Sequence, residues 1–121
     1  MKEEIERWME KAKRDLTTAK NSLKSKDYYA ASFWCQQSAE KAFKALLMNR
    51  VNEFPKIHDL TRLARLANAP DSVIQVCAKI NPAYTASRYP DVAKEYTKEE
   101  VKSAINYSNK VLKWVKKSLS S

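Results

Sequence analysis

The chain has no glycine in 121 residues. That absence excludes several chemistries at once. Walker loops and dinucleotide fingerprints need glycine where the backbone meets phosphate. A nucleophile elbow needs it to turn sharply around its serine. Two-residue hairpins favour it for positive φ angles. Prolines number only four, so the chain is most easily all-helical.

Metal ligands are also scarce. Cys35 and Cys77 are the two cysteines and His58 is the single histidine. A four-ligand zinc site built from cysteine and histidine needs more, and neither cysteine belongs to a CxxC pair. The reading is free core thiols in a reducing cytoplasm, with no metal and no cofactor. A disulfide stays open, because spacing does not exclude it. Apolar runs last only a few residues, against roughly 20 for a membrane span. The opening Met1-Lys2-Glu3-Glu4-Ile5-Glu6 has no apolar stretch of a secretory signal. The expectation is a cytoplasmic protein without membrane contact.

What the chain has in quantity is basic charge on a globular composition. Lysine and arginine number 23 against 14 aspartates and glutamates, a net charge of +9. Hydrophobic residues make up 44%, enough for a folded core and too many for a disordered chain. The length is that of one domain, residues 1–121, able to build its core without staples.

Hydrophobic spacing divides the chain into helices. Ile5, Trp8, Ala12, Leu16, Ala19 and Leu23 recur at steps of three and four, predicting a helix from about Lys2 to Leu23. Asp27 is a good N-cap for a second helix reaching about Arg50. Its apolar residues spread over so much of its circumference that it is either central to the bundle or part of an oligomer interface. Pro55 breaks the connection that follows. A shorter helix is predicted from His58 to Ala67. Another starts at Pro70-Asp71-Ser72, and Pro82 kinks or restarts it. Tyr89 precedes Pro90 and is pushed away from helical angles. Thr97-Lys98-Glu99-Glu100 is a capping box that opens the last helix. Helices of 22 residues are about 33 Å long and can lie side by side. The predicted fold is all-α: an antiparallel up-and-down bundle of three long helices plus two short ones.

The excess charge sits mainly in the terminal helices, with a net +3 from Lys2 to Lys26 and +4 from Lys98 to Lys117. One reading is a surface for the phosphates of RNA or a nucleotide. The other is a solvated, lysine-rich exterior that favours helix and solubility.

Two strings carry candidate binding residues. In Gln36-Gln37-Ser38-Ala39-Glu40-Lys41-Ala42-Phe43-Lys44, the residues Gln37, Lys41 and Lys44 share a polar strip at i, i+4 and i+7. Glu40 and Lys44 form an i, i+4 pair, which on spacing alone reads as surface stabilisation. In Ser87-Arg88-Tyr89-Pro90-Asp91, Arg88 either holds a phosphate in bidentate fashion or pins the loop by pairing with Asp91 or Glu40. Trp8, Trp34 and Trp114 fit core seams. Tyr28, Tyr29, Tyr84 and Tyr89 are open to base stacking or to a dimer seam.

These strings together resemble the HEPN family, the "higher eukaryotes and prokaryotes nucleotide-binding" domain. The resemblance rests on Trp8 with Ala12-Lys13-Arg14-Asp15-Leu16, then Asp27-Tyr28-Tyr29-Ala30-Ala31 and the Gln36–Leu47 run. His58-Asp59-Leu60 and Arg88-Tyr89-Pro90-Asp91 complete it, in that order. It implies a helical bundle that dimerises and a binding role for Gln37, Glu40, Lys41, Lys44, Arg88, Tyr89 and Asp91, with His58 and Asp59 as secondary candidates. It further implies action beside a minimal nucleotidyltransferase, in many members as a toxin–antitoxin pair. Many relatives are metal-independent endoribonucleases with an arginine, four to six residues and then a histidine. No histidine follows Arg88 here, and seven residues separate Arg50 from His58, outside that spacing. The usual proton carrier is missing, so the expectation is a non-catalytic module with no catalytic residue. The alternatives are an endoribonuclease with a divergent site, using Arg88 with His58, and a purely structural dimerisation bundle. His58 itself also reads as a residue that caps or packs a helix start.

Overall fold

The fold was obtained as a computed structural model, which describes residues 2–53, 55–89 and 95–121, with the backbone alone at Ser87 and Arg88. Six helices follow in order: α1 (Glu3–Lys24), α2 (Tyr28–Val51), α3 (Leu60–Leu66), α4 (Asp71–Ile80), α5 (Ala83–Arg88) and α6 (Lys98–Leu119). No strand occurs among the described residues. The three long helices are those expected from the apolar spacing. The second short segment is restarted at Pro82, which stands at the head of α5 and has no N–H to continue α4.

Without glycine, the chain uses other residues where a helix must turn left-handed. Lys26, Asn52 and Asn68 take φ of 62°, 59° and 57°. After α1, the Asp27 N–H reaches the Ser22 carbonyl at 2.8 Å and the Lys26 N–H reaches Leu23 at 3.0 Å. That is a Schellman closure, repeated after α3 by Ala69 to Ala64 and Asn68 to Arg65. Asparagine tolerates this conformation; lysine does so at a cost.

Asp27 caps α2 by accepting from the Ala30 N–H, and Thr97 and Glu100 form the expected capping box on α6. Helix α2 is the hub. It packs against α1, α3, α4, α5 and α6, and Ala31, Cys35, Ala39, Ala42, Phe43, Leu46 and Leu47 form a broad buried apolar face on it. Two hydroxyls stitch it to its long neighbours. Ser38 donates to the Ala12 carbonyl at 2.6 Å, and Ser108 donates to the Cys35 carbonyl at 2.9 Å. Both satisfy backbone acceptors inside the core. Cys35 and Cys77 are free and buried. Burial pushes each thiol up to about 12, so neither is a ready nucleophile.

Trp8, Trp34 and Trp114 line the core's margin, each half-buried. Trp34 meets Phe33 edge-on, with ring centroids 5.2 Å apart. Phe43, fully buried, is the largest side chain at the centre. Phe43→Ala is expected to cost about 3–5 kcal/mol. Trp34→Ala should cost clearly less, because solvent already reaches that ring. Urea unfolding of both variants checks this; an equal or larger loss at Trp34 would move the centre of the core to the α2 margin.

Candidate functional site

The middle of α2 buries a carboxylate. Glu40 is 4% exposed and Lys44, one turn on, is 7% exposed. Their ion pair measures 3.0 Å. The spacing predicted the pair but placed it on the surface. The bundle buries it because α3 and α5 close over this side of α2. A buried carboxylate must be fully partnered, and Glu40 is. Gln36, with no exposed surface, donates to it at 3.3 Å, and Gln37 approaches at 3.5 Å. Gln37 also donates to the Gln36 side-chain Oε1 at 2.7 Å.

His58 completes the shell from the loop before α3. Its Nδ1 lies 3.0 and 3.1 Å from the two Glu40 oxygens. Gln36 anchors that loop by donating to the His58 carbonyl at 2.9 Å. The imidazole stacks on Tyr84 of α5, with centroids 4.4 Å apart and planes 13° apart. About half of the His58 side chain stays exposed, so the outer ring edge opens to solvent while the inner edge is tied to Glu40.

Asp59, rather than His58, caps α3. Its Oδ1 accepts from the Thr61 and Arg62 N–H groups and from the Thr61 hydroxyl at 2.7 Å. Asn81 clasps the same segment. Its Nδ2 donates to Asp59 Oδ1 at 2.9 Å and its Oδ1 accepts from the Leu60 N–H at 2.8 Å. This clasp joins the loop before α3 to the α4–α5 corner, which sets His58 against Tyr84. Between them lies a small cleft of about 280 Å³ lined by His58, Asp59, Asn81, Pro82, Tyr84 and Thr85.

The polar strip of Gln37, Lys41 and Lys44 does not act as one surface. Lys41 turns instead to the buried Asp15 of α1, with which it pairs. Its ammonium also sits 5.7 Å from the Trp34 ring centroid. Tyr89 is half-exposed at the end of α5, with φ −120° and ψ 117°, the extended conformation expected before proline. Asp91 and the Arg88 side chain lie outside the described residues. Glu40 holds Lys44 and His58, and the pairing of Arg88 with Glu40 or Asp91 lies outside the described residues. Arg50 donates to the Ala67 carbonyl at the end of α3, a structural role. Gln36 and Asn81 join the cluster although the sequence does not mark them as binding residues, and Tyr84 joins it as one of the rings open on sequence grounds to base stacking or a dimer seam. For Gln36 there is a signal: a long amide one turn before Glu40 and in line with Phe43 and Leu47 of the apolar face. For Asn81 there is none, since its partners are 21 and 22 residues away.

Elsewhere, Lys20 and Lys24 of α1 and Lys102 of α6 border a shallow groove over Leu23 and Ile105. Part of the terminal-helix charge is gathered there. No group of three or more metal-binding side chains occurs among the described residues. No described helix is long and apolar enough to cross a membrane.

The HEPN domain family model matches residues 5–118, and the chain belongs to that family. Two solved structures are similar along almost their full length. TT1696 from Thermus thermophilus superposes with a TM-score of 0.85 at 29% identity, covering 93% of this chain and 96% of its own. ST0689, described as an archaeal HEPN homologue, gives 0.82 at 35% identity and 98% coverage of each chain. A comparison with curated proteins finds no match.

Two outcomes follow from the cluster. Glu40→Leu leaves the Lys44 ammonium buried without its carboxylate and should cost about 3–5 kcal/mol. The double variant Glu40→Leu/Lys44→Met should regain most of that loss. Chemical denaturation of the three proteins checks it; a double variant as unstable as the single would show that the charges do not compensate each other.

The second outcome concerns acid. The Thr61 hydroxyl holds the Asp59 carboxyl below its ordinary 3.8; burial, the next effect in size, opposes it, and Asn81 and the Arg62 and Thr61 N–H groups add smaller help. A lowered folded-state value stabilises the protein above the ordinary value and is lost as pH falls through the lowered one. Thermal unfolding from about pH 6 down through the Asp59 titration should therefore fall less steeply in Asp59→Asn than in the parent. Parallel curves would assign the acid sensitivity to other carboxylates.

Proposed function

We propose that this chain is a nucleotide- or RNA-binding HEPN module, not itself catalytic, that works beside a minimal nucleotidyltransferase in the manner of a toxin–antitoxin pair. One observation carries the binding reading. Side chains from α2 and the loop before α3 converge on a buried carboxylate, and Tyr84 from α5 stacks on His58 beside a cleft. A bundle of this size needs no buried ion pair for stability, and an apolar filling would serve as well. Polar convergence beside exposed rings suits a ligand with flat faces and hydrogen-bonding edges. The net charge of +9 favours a polyanion. The nucleotidyltransferase partner, the toxin–antitoxin role and homodimerisation are supported by family membership.

A second reading has its own support. His58 Nδ1 is held by Glu40, an arrangement that orients an imidazole for general acid–base work. An endoribonuclease with a divergent site would use it.

Fluorescence anisotropy with a short single-stranded RNA tests the binding reading. Binding should be measurable at low salt, fall steeply with added potassium chloride, and weaken several-fold in Tyr84→Ala. No binding at low salt would overturn it. Intact RNA after prolonged incubation is expected; cleavage abolished in His58→Ala would install the second reading. Affinity capture from the native cells should return a small nucleotidyltransferase in stoichiometric amount, and its absence would remove the partner.

A further inference from the structure

Resting on the RNA-binding reading above, we infer a second RNA contact, in a groove between α1 and α2. A base of a single strand stacks there on Trp8, and the flanking phosphates meet Arg7, Lys11 and Lys41. The groove offers about 460 Å³ and is lined by Glu4, Arg7, Trp8, Lys11 and Lys41. That volume falls within the roughly 300 to 1,000 Å³ of ligand pockets.

The lining is built from two helices. Glu4, Arg7, Trp8 and Lys11 stand at i, i+3, i+4 and i+7, a single stripe of α1. Trp8 is half-buried and packs against the core, yet it also lines the groove. Its indole is therefore anchored on the bundle and still open to a ligand. Lys41 comes from α2 and is held in place. It pairs with the buried Asp15, and its ammonium sits 5.7 Å from the Trp34 ring centroid. An ammonium carries three donors and the Asp15 bond takes one, so donors remain for a ligand. The Lys41 side chain is 20% exposed, enough for a phosphate oxygen to reach it. A cation ordered before the ligand arrives loses little freedom on binding.

The charge balance in the groove favours an anion. Its lining sets Arg7, Lys11 and Lys41 against the single carboxylate of Glu4. Arg7 pairs with Glu3 at 3.4 Å, but the two side chains are 70% and 82% exposed. Water screens such a pair, and a phosphate can replace it. Lys11 has no hydrogen bond or ion pair among the described residues. The indole then selects among anions. It adds little for a simple ion or an acidic side chain, whereas a nucleobase gains a stacking surface. Glu40 and Lys41 are adjacent, so one turn of α2 serves both sites: Glu40 holds His58, and Lys41 lines the groove.

The test is fluorescence anisotropy on the full-length protein. The probes are a labelled single-stranded oligoadenylate and an abasic strand of equal length. Trp8→Ala should weaken the oligoadenylate about tenfold and leave the abasic strand nearly unchanged. Lys11→Gln should weaken both and lower the slope of log affinity against log salt by about 0.7. Lys102→Gln, beside Lys24 toward the other end of α1, should change neither. If Trp8→Ala loses its helical circular dichroism, Trp8→Leu takes its place, and Arg7→Gln and Lys11→Gln test the cations at exposed positions. An equal loss in Lys102→Gln would overturn the inference, since the charge would then act diffusely. Displacement of the oligoadenylate by poly-L-glutamate as readily as by unlabelled oligoadenylate would overturn it in favour of an acidic protein segment. Full affinity in the groove variants, with a loss in Tyr84→Ala, would overturn this inference alone and leave the binding reading standing. No RNA binding by the parent protein at low salt would overturn both.

Discussion

The Glu40–Lys44 pair is the constraint around which the rest of this molecule is arranged. A carboxylate 4% exposed cannot be left with water-like freedom, and one lysine does not fill its hydrogen-bonding capacity. Gln36, Gln37 and His58 supply the remainder. Because His58 comes from a loop, Glu40 also determines where that loop lies. The loop in turn carries Asp59, which starts α3, and Asn81 ties both to the corner between α4 and α5. One buried charge therefore sets the relation between three chain segments that share no continuous helix.

The position of that charge on α2 explains why the site is polar within and aromatic at its rim. Helix α2 packs against all five other helices, which removes solvent from Glu40 and Lys44. Its long neighbours are held by hydroxyl-to-carbonyl bonds at Ser38 and Ser108, so the hub is fixed in rotation about its own axis. Rotating it by one residue would carry Glu40 away from His58. The short helices are looser partners, each a few turns at most, and they depend on side-chain clasps. Asn81 and Arg50 supply these by bonding backbone groups of other elements. A chain without glycine closes its helix ends at Lys26, Asn52 and Asn68, so the corners too are built from polar side chains.

Charge on this protein divides into two kinds. The lysines of α1 and α6 are solvated and shape the long-range field. Lys41 and Lys44 are drawn into pairs with Asp15 and Glu40 and contribute little to it. Asp59 is the carboxylate among the described residues lining the cleft beside His58.

Local patterning decided much of this in advance. Apolar residues at steps of three and four define α1, α2 and α6, and Asp27 and Thr97 mark two of their starts, because a cap acts on N–H groups two or three residues away. The family was legible for a related reason: its strings lie within single helices and turns. The Glu40–Lys44 pair was equally visible, as a contact one turn long. What the pattern left open is which side of α2 faces outward. A helix apolar over so much of its circumference leaves its exterior poorly marked, so an i, i+4 ion pair on it looks the same whether solvated or buried. Tertiary packing settled that by laying α3 and α5 over Glu40 and α1 against Lys41. The same packing brought His58 to Gln36 and Glu40, and Asn81 to Asp59, across separations of 18 to 22 residues that lie beyond any helical period. Sequence spacing reports contacts within an element; contacts between elements depend on the packing of the whole bundle.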